Sequence, residues 1–167
     1  MKSNETTDFL PSGGEDGPRT QFGALCWRMH RGRVEVLLIT SRETGRWVIP
    51  KGWPIIGKSP ESSAAQEAWE EAGVTGECAA AAWGLYTYDK TRKGREALPC
   101  VVQVYPLRVE RLAKQFPERK ERRRRWFAAE KAAKLVAEPE LRALLLQFGC
   151  DASAQSGGMV AGAVASA

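Results

Sequence analysis

Glu67, Glu70 and Glu71 lie within five positions of one another in the stretch IPKGWPIIGKSPESSAAQEAWEEAGVTG. At i, i+3 and i+4 on an α-helix, three such side chains leave one face within about 100° of arc. Like charges at that spacing repel by roughly 0.2–0.5 kcal/mol per pair. A chain that keeps them must solvate or neutralise them. Solvation is the ordinary fate of an exposed acidic face. The alternative is a hard divalent cation, because Mg²⁺ and Mn²⁺ are held through carboxylate and carbonyl oxygens. The preceding loop favours the second outcome: Lys51 and Gly52 leave a strand-like run at a point where backbone carbonyls can turn toward the helix.

Cations are available to meet an anionic substrate at such a face. Arg19 begins the first strand-like run, Arg42 and Arg46 sit in the turn SRETGR, and Lys90, Arg92, Lys93 and Arg95 crowd the loop DKTRKGRE. Arginine forks and lysine charges suit phosphate oxygens. Any one of them is also an ordinary solubilising charge, and Arg46 is read that way. Trp53, in the loop before the helix, could stack on a base, although tryptophans in a domain of this size mostly fill the core.

Composition bounds these readings. The 167 residues suffice for one domain with a core, and 27% charged with 43% hydrophobic residues is ordinary for a soluble globular chain. The net charge of +5 is uneven, with Arg119, Lys120 and Arg122 to Arg125 in one short segment, which suggests a polyanionic partner. Cys26, Cys78, Cys100 and Cys150 lie far apart with no CxxC or Cys/His spacing for zinc. His30 is the only histidine, at a strand end with no motif around it, so a His-assisted nucleophile is not indicated. No run of about 18 apolar residues marks a membrane span, and residues 1 to 19 lack the apolar core of a signal peptide. The expected setting is cytoplasmic with reduced thiols.

The elements that must position the carboxylates follow from punctuation and period. Residues 1–18 are polar and rich in Gly and Pro and read as a flexible arm, and residues 150–167 read as a small-residue, disordered tail. Between them, TQFGALCWRM and RVEVLLIT flank the turn HRGR as a hairpin, and WVIP follows as a short strand. Ser59, Pro60 and Glu61 make a helix N-terminus and Gly73 its end, with Ala64, Ala65, Ala68, Trp69 and Ala72 as the packing stripe. TGECAAAAWGLYTY and LPCVVQVYPLRV read as strands about the basic loop, with residues 79–82 open to a helical reading. RWF reads as a short strand, and AAEKAAKLV with PELRALLLQF as C-terminal helices. Strands joined by hairpins, with few helices, point to an α+β chain: a sandwich with a mixed sheet between helices.

The segment 52–74 resembles the Nudix box, G-x5-E-x7-R-E-U-x-E-E-x-G-U, where U is aliphatic. Gly52, Glu67, Ala68, Glu70, Glu71, Gly73 and Val74 fall at the matching positions, while Lys58 replaces a Glu and Gln66 an Arg. The two departures remove opposite charges together, so neither is stranded. The resemblance covers residues 19–148 and implies a Nudix-like α/β/α sandwich and a metal-dependent attack of water on a phosphoanhydride. It further implies that Glu67 and Glu71 hold Mg²⁺ or Mn²⁺ with the Lys51 carbonyl, and that Glu70 is the general base. The pattern TSR…RWVIPKG, RKGR and RRRRWF looks most like the branch acting on diphosphoinositol polyphosphates and diadenosine polyphosphates. In that branch Arg19, Ser41, Arg42, Lys93 and Arg95 would contact the substrate, a small-molecule polyphosphate.

Two rivals share these residues. Arg122 to Arg125 could grip nucleic acid, either in an RNA-binding module on the same shell or in an enzyme trimming 5′-phosphates. The segment lacks an aromatic stacking platform, which weighs against this reading. A pyrophosphatase of nucleotide sugars or oxidised nucleotides would use the same box.

Overall fold

The hairpin at the front of the chain forms the middle of a sheet. In the computed structural model, which describes residues 17–164 and their side chains through residue 155, β1 (Arg19–His30) and β2 (Arg33–Thr40) pair antiparallel about Arg31–Gly32. Both turn residues have positive φ, as a tight hairpin requires. The run Val36-Leu37-Leu38-Ile39 is apolar without alternation because both faces of β2 are covered. Val36 and Leu38 point into one core, Leu37 and Ile39 into the other. β2 leaves β1 after Val36, and its far end pairs with β3 (Trp47–Val48).

β4 (Lys51–Gly52) pairs with Phe22 and Gly23 of β1. The long β7 (Leu98–Leu112) lies parallel to β1 from Arg19↔Cys100 to Trp27↔Arg108. β5 (Val74–Cys78) and β6 (Gly84–Lys90) pair antiparallel with successive halves of β7, and β8 (Arg124–Ala128) pairs with β2. The sheet is therefore mixed, with the path β3-β2-β1-β7-β5.

Helix α1 (Pro60–Ala72) covers one face, and α2 (Ala129–Leu135) with α3 (Pro139–Val164) covers the other. This is the expected α/β/α sandwich. Residues 79–83 are neither helix nor strand and divide the expected single strand into β5 and β6. Residues 150–164 continue α3 instead of forming an unstructured tail. No proline follows Pro139, and Ala152 and Ala154 have the highest helix propensity, although Gly157, Gly158 and Gly162 each cost about 1 kcal/mol relative to alanine. The expected arm lies outside the described residues except for its last two. Among the described residues, no helix is long and apolar enough to cross a membrane.

Candidate active site

Helix α1 starts as its sequence implies: Ser59 caps it by accepting from the Ser62 N–H at 3.3 Å, and Pro60 follows. It ends at Gly73, whose φ of 66° and backbone N–H close the last turn. Ala64, Ala68 and Ala72 are fully buried against the sheet. These small side chains let the helix lie close, and that packing fixes its rotation, so Glu67, Glu70 and Glu71 face the loop end where β4 arrives.

Glycine at position 52 follows from this approach. A Cβ there would land on the Glu67 carboxyl group. Burial, then the neighbouring Glu71 and Glu70 carboxylates, push the Glu67 carboxyl up to about 8. Glu71 is almost fully buried, and burial raises it as well, opposed by Arg122 and Lys51. One Glu71 oxygen accepts from the Lys51 backbone N–H at 3.3 Å, and the other lies 3.1 Å from Arg122 Nη2. Glu70 accepts from the Gln66 amide at 2.9 Å, so the residue standing where the box has Arg orients the carboxylate one turn away.

The charged segment after β7 completes the face, which no sequence pattern indicated. Arg124 donates to the carbonyls of Ala72 and Ala113, both at 2.7 Å, Ala113 N–H donates to Gly73 O at 2.8 Å, and Glu118 N–H to Glu70 O at 3.0 Å. These bonds tie the segment to the C-terminal end of α1 and bring Glu118 beside the acidic face. Arg122 joins them, with Nε 3.2 Å from Glu118, Nη1 donating to Thr40 O at 3.1 Å, and only 10% of its side chain exposed.

Beside this face lies a cleft of about 100 Å³ lined by Ser41, Arg42, Arg46, Lys51, Lys90 and Arg122, among others. That is room for roughly three water-sized groups, so a longer ligand must extend over the rim. Burial lowers the Lys51 ammonium to about 8, opposed chiefly by Glu71, and Lys51 Nζ sits 4.8 Å above the Tyr88 ring.

The predicted residues divide clearly. Glu67, Glu70, Glu71, Lys51, Ser41 and Arg42 come together around cleft and helix face. Arg19, Lys93 and Arg95 are exposed and do not line the cleft. Arg42 is tied to Glu121 and Glu118 at 3.3 and 3.4 Å. Arg46 is more than a surface charge: it lines the cleft and lies 2.6 Å from the buried Glu138. Trp53 is 42% exposed, with Lys90 Nζ 5.8 Å from its ring, and is not a core residue. Glu118, Arg122 and Tyr88 were missed. Their only sequence signal was charge density around Arg122, which does not say what each charge touches.

The donor set suits a hard divalent cation. Glu67, Glu70, Glu71 and Glu118 offer oxygens only, and burial raises both Glu67 and Glu71, a penalty on negative charge that a bound cation would offset. Among the described residues no group of three His, Cys, Asp or Glu is arranged to hold an ion as the side chains stand, and Glu71 and Glu118 are turned to Arg122.

Comparison with known proteins agrees with this geometry. The NUDIX domain model matches residues 17–148. Diphosphoinositol polyphosphate phosphohydrolase 3-beta of Homo sapiens is 30% identical over 137 residues, covering 81% of this chain and 77% of that protein. Nudix hydrolase 21, chloroplastic, of Arabidopsis thaliana is 31% identical over 136 residues, covering 79% and 67%. Among solved structures, a C. elegans Ap4A hydrolase binary complex superposes with a TM-score of 0.60 at 22% identity, covering 81% of this chain and 98% of that one. A MutT protein from Methanosarcina mazei Go1 gives 0.61 at 21% identity, covering 83% and 98%. With box, sandwich and acidic face in one place, the chain belongs to the NUDIX domain family and is a Nudix pyrophosphohydrolase.

Proposed function

We propose that this protein hydrolyses phosphoanhydride bonds in polyphosphorylated small molecules, of the diphosphoinositol polyphosphate or diadenosine polyphosphate kind, with Mg²⁺ or Mn²⁺. The observation that carries the reading is the junction of two opposite fields: a helix face of Glu67, Glu70 and Glu71 beside a cleft lined by Arg42, Arg46, Lys51, Lys90 and Arg122. One half suits cations, the other phosphate oxygens. The relatives named for diphosphoinositol polyphosphates and the fold likeness to an Ap4A hydrolase support the substrate class.

Glu67 and Glu71, with the Lys51 carbonyl, would hold the cation. When bound, it supplies charge neutralisation for the phosphates and a lowered pKa for attacking water. Glu70 takes the water proton, with Gln66 holding one oxygen and leaving the other for that work. Lys51, Arg42 and Ser41 position the phosphate chain, and their fixed charge opposes the negative charge that spreads over the equatorial oxygens during transfer. Arg19, Lys93 and Arg95 can meet only a chain long enough to leave the cleft.

A panel of diphosphoinositol phosphates, diadenosine polyphosphates, nucleotide sugars and 5′-triphosphate RNA, assayed with Mg²⁺ and with Mn²⁺, tests this reading. Polyphosphate turnover should fall at least about 100-fold in Glu70→Gln, the scale of a lost general base, with the fold intact by circular dichroism. Turnover of that variant near wild type removes Glu70 from the base role, and preference for a nucleotide sugar or for RNA overturns the substrate class.

A further inference from the structure

Among the described residues, Arg122 is the guanidinium that pairs with Glu71. It contacts Glu71 at 3.1 Å and Glu118 at 3.2 Å and donates to the Thr40 carbonyl at 3.1 Å, with 10% of its side chain exposed. Its four-residue run, whose last two residues open β8, alternates in exposure: Arg123 and Arg125 are exposed, whereas Arg122 and Arg124 are turned inward to named partners. Arg122 therefore works locally, on the face that would hold a divalent ion.

The Glu71 carboxylate has two oxygens, and both are engaged, one by the Lys51 N–H and one by Arg122. An incoming cation needs at least one of them. Sharing that oxygen with a guanidinium at hydrogen-bond distance is disfavoured, because a divalent ion repels a neighbouring unit charge twice as strongly as another unit charge would. The backbone bond from Lys51 is fixed by the strand, whereas the Arg122 contact is made by a long side chain that also reaches the cleft.

We propose that Arg122 is a built-in counter-ion that occupies the metal face in the cation-free protein and is displaced from Glu71 when a divalent ion binds. This rests on the metal-dependent reading above. The displaced guanidinium lies among the cleft-lining cations, where substrate phosphate oxygens replace the carboxylates as its partners. Arg122 thus couples the two halves of the site: the cation frees it, and the phosphate chain takes it up. Without either, it neutralises carboxylates that burial would otherwise penalise.

The test is metal binding by the full chain, read without turnover. Mn²⁺ affinity, from the electron paramagnetic resonance signal of the free ion, should rise about tenfold in Arg122→Gln, or ~1.4 kcal/mol. Thermal stability in EDTA should fall in that variant, and the gap to wild type should close in saturating Mn²⁺. As a measurement independent of any variant's folding, the buried arginine Nε–Hε resonance of ¹⁵N-labelled wild type, identified with Arg122→Lys, should shift or broaden when Mg²⁺ is added. Equal or weaker Mn²⁺ binding by Arg122→Gln, or an unmoved resonance at saturating Mg²⁺, overturns the counter-ion role and leaves the metal-dependent reading standing. If neither wild type nor variant binds Mn²⁺, both fall together.

Discussion

Replacing Arg124 by Met should cost stability out of proportion to its place in a run of surface-like arginines. Its Nη1 and Nη2 each donate at 2.7 Å, to Ala72 O at the end of α1 and to Ala113 O where the chain leaves β7, and its guanidinium lies 4.8 Å from the Phe116 ring. Hydrogen bonds to a charged group contribute about 1.5–3 kcal/mol each, which sets a ceiling near ~6 kcal/mol for the two. The side chain is only half-buried, so water can replace part of what is lost, and the expected cost is about 2–3 kcal/mol. For a chain of this length that lowers the melting temperature by about 4–12 °C. Urea unfolding should show a lower midpoint with an unchanged slope. The control is Arg125→Met: Arg125 is exposed and meets only the Phe127 ring, at 5.4 Å, so its loss should cost less than about 1 kcal/mol. A loss below about 0.5 kcal/mol for Arg124→Met, or equal losses for the two variants, would refute the assignment of Arg124 as the clamp between α1 and the segment carrying Glu118 and Arg122.

Three further outcomes follow from the site. Glu67 has its folded-state pKa raised from 4.5 to about 8, so its contribution to stability is fully present below about 4.5 and lost as pH rises through about 8. In EDTA, Glu67→Gln should therefore be more stable than wild type at pH 8.5 by about 1–2 kcal/mol, a figure reduced for solvent screening of a half-exposed carboxyl, with no gain at about pH 4; an equal effect at both pH values refutes the titration. Gly52→Ala should keep the fold by circular dichroism but cut turnover at least about 100-fold, because its Cβ displaces the Glu67 carboxyl; unchanged kcat would show that Glu67 tolerates the move. Arg46→Met strands the buried Glu138, one of whose oxygens already lacks a partner, and should cost about 3 kcal/mol. Adding Glu138→Gln should recover more than half of that loss; no recovery would mean that the pair is not coupled.

The α1 signals are local: a cap at Ser59, proline at 60, a left-handed glycine at 73 and three glutamates at helical spacing can be read without tertiary contacts. The box fixed the family for the same reason, since its spacing is that of one loop and one helix. The hairpin of β1 and β2 was legible from apolar runs about a turn, whereas the parallel pairing of β1 with β7, about 80 residues apart in sequence, was not. Alanine-rich residues misled in both directions. At 79–82 helix propensity yielded to the pairing of β5 and β6 with β7, and beyond 150 it prevailed over the appearance of a tail.

By itself, the sequence determined the helix, its acidic face and the glycine that must approach it. Only tertiary structure decided which cations serve that face. An arginine in a run of four carries the same charge at each position, and its role depends on which way the backbone turns it. Arg122 reaches Glu71 and Arg124 the end of α1, Arg46 is paired with Glu138, and Lys93 and Arg95 remain in solvent. Charge is a property of the residue, whereas its partner is a property of distance, and these distances join positions between 51 and 92 residues apart along the chain.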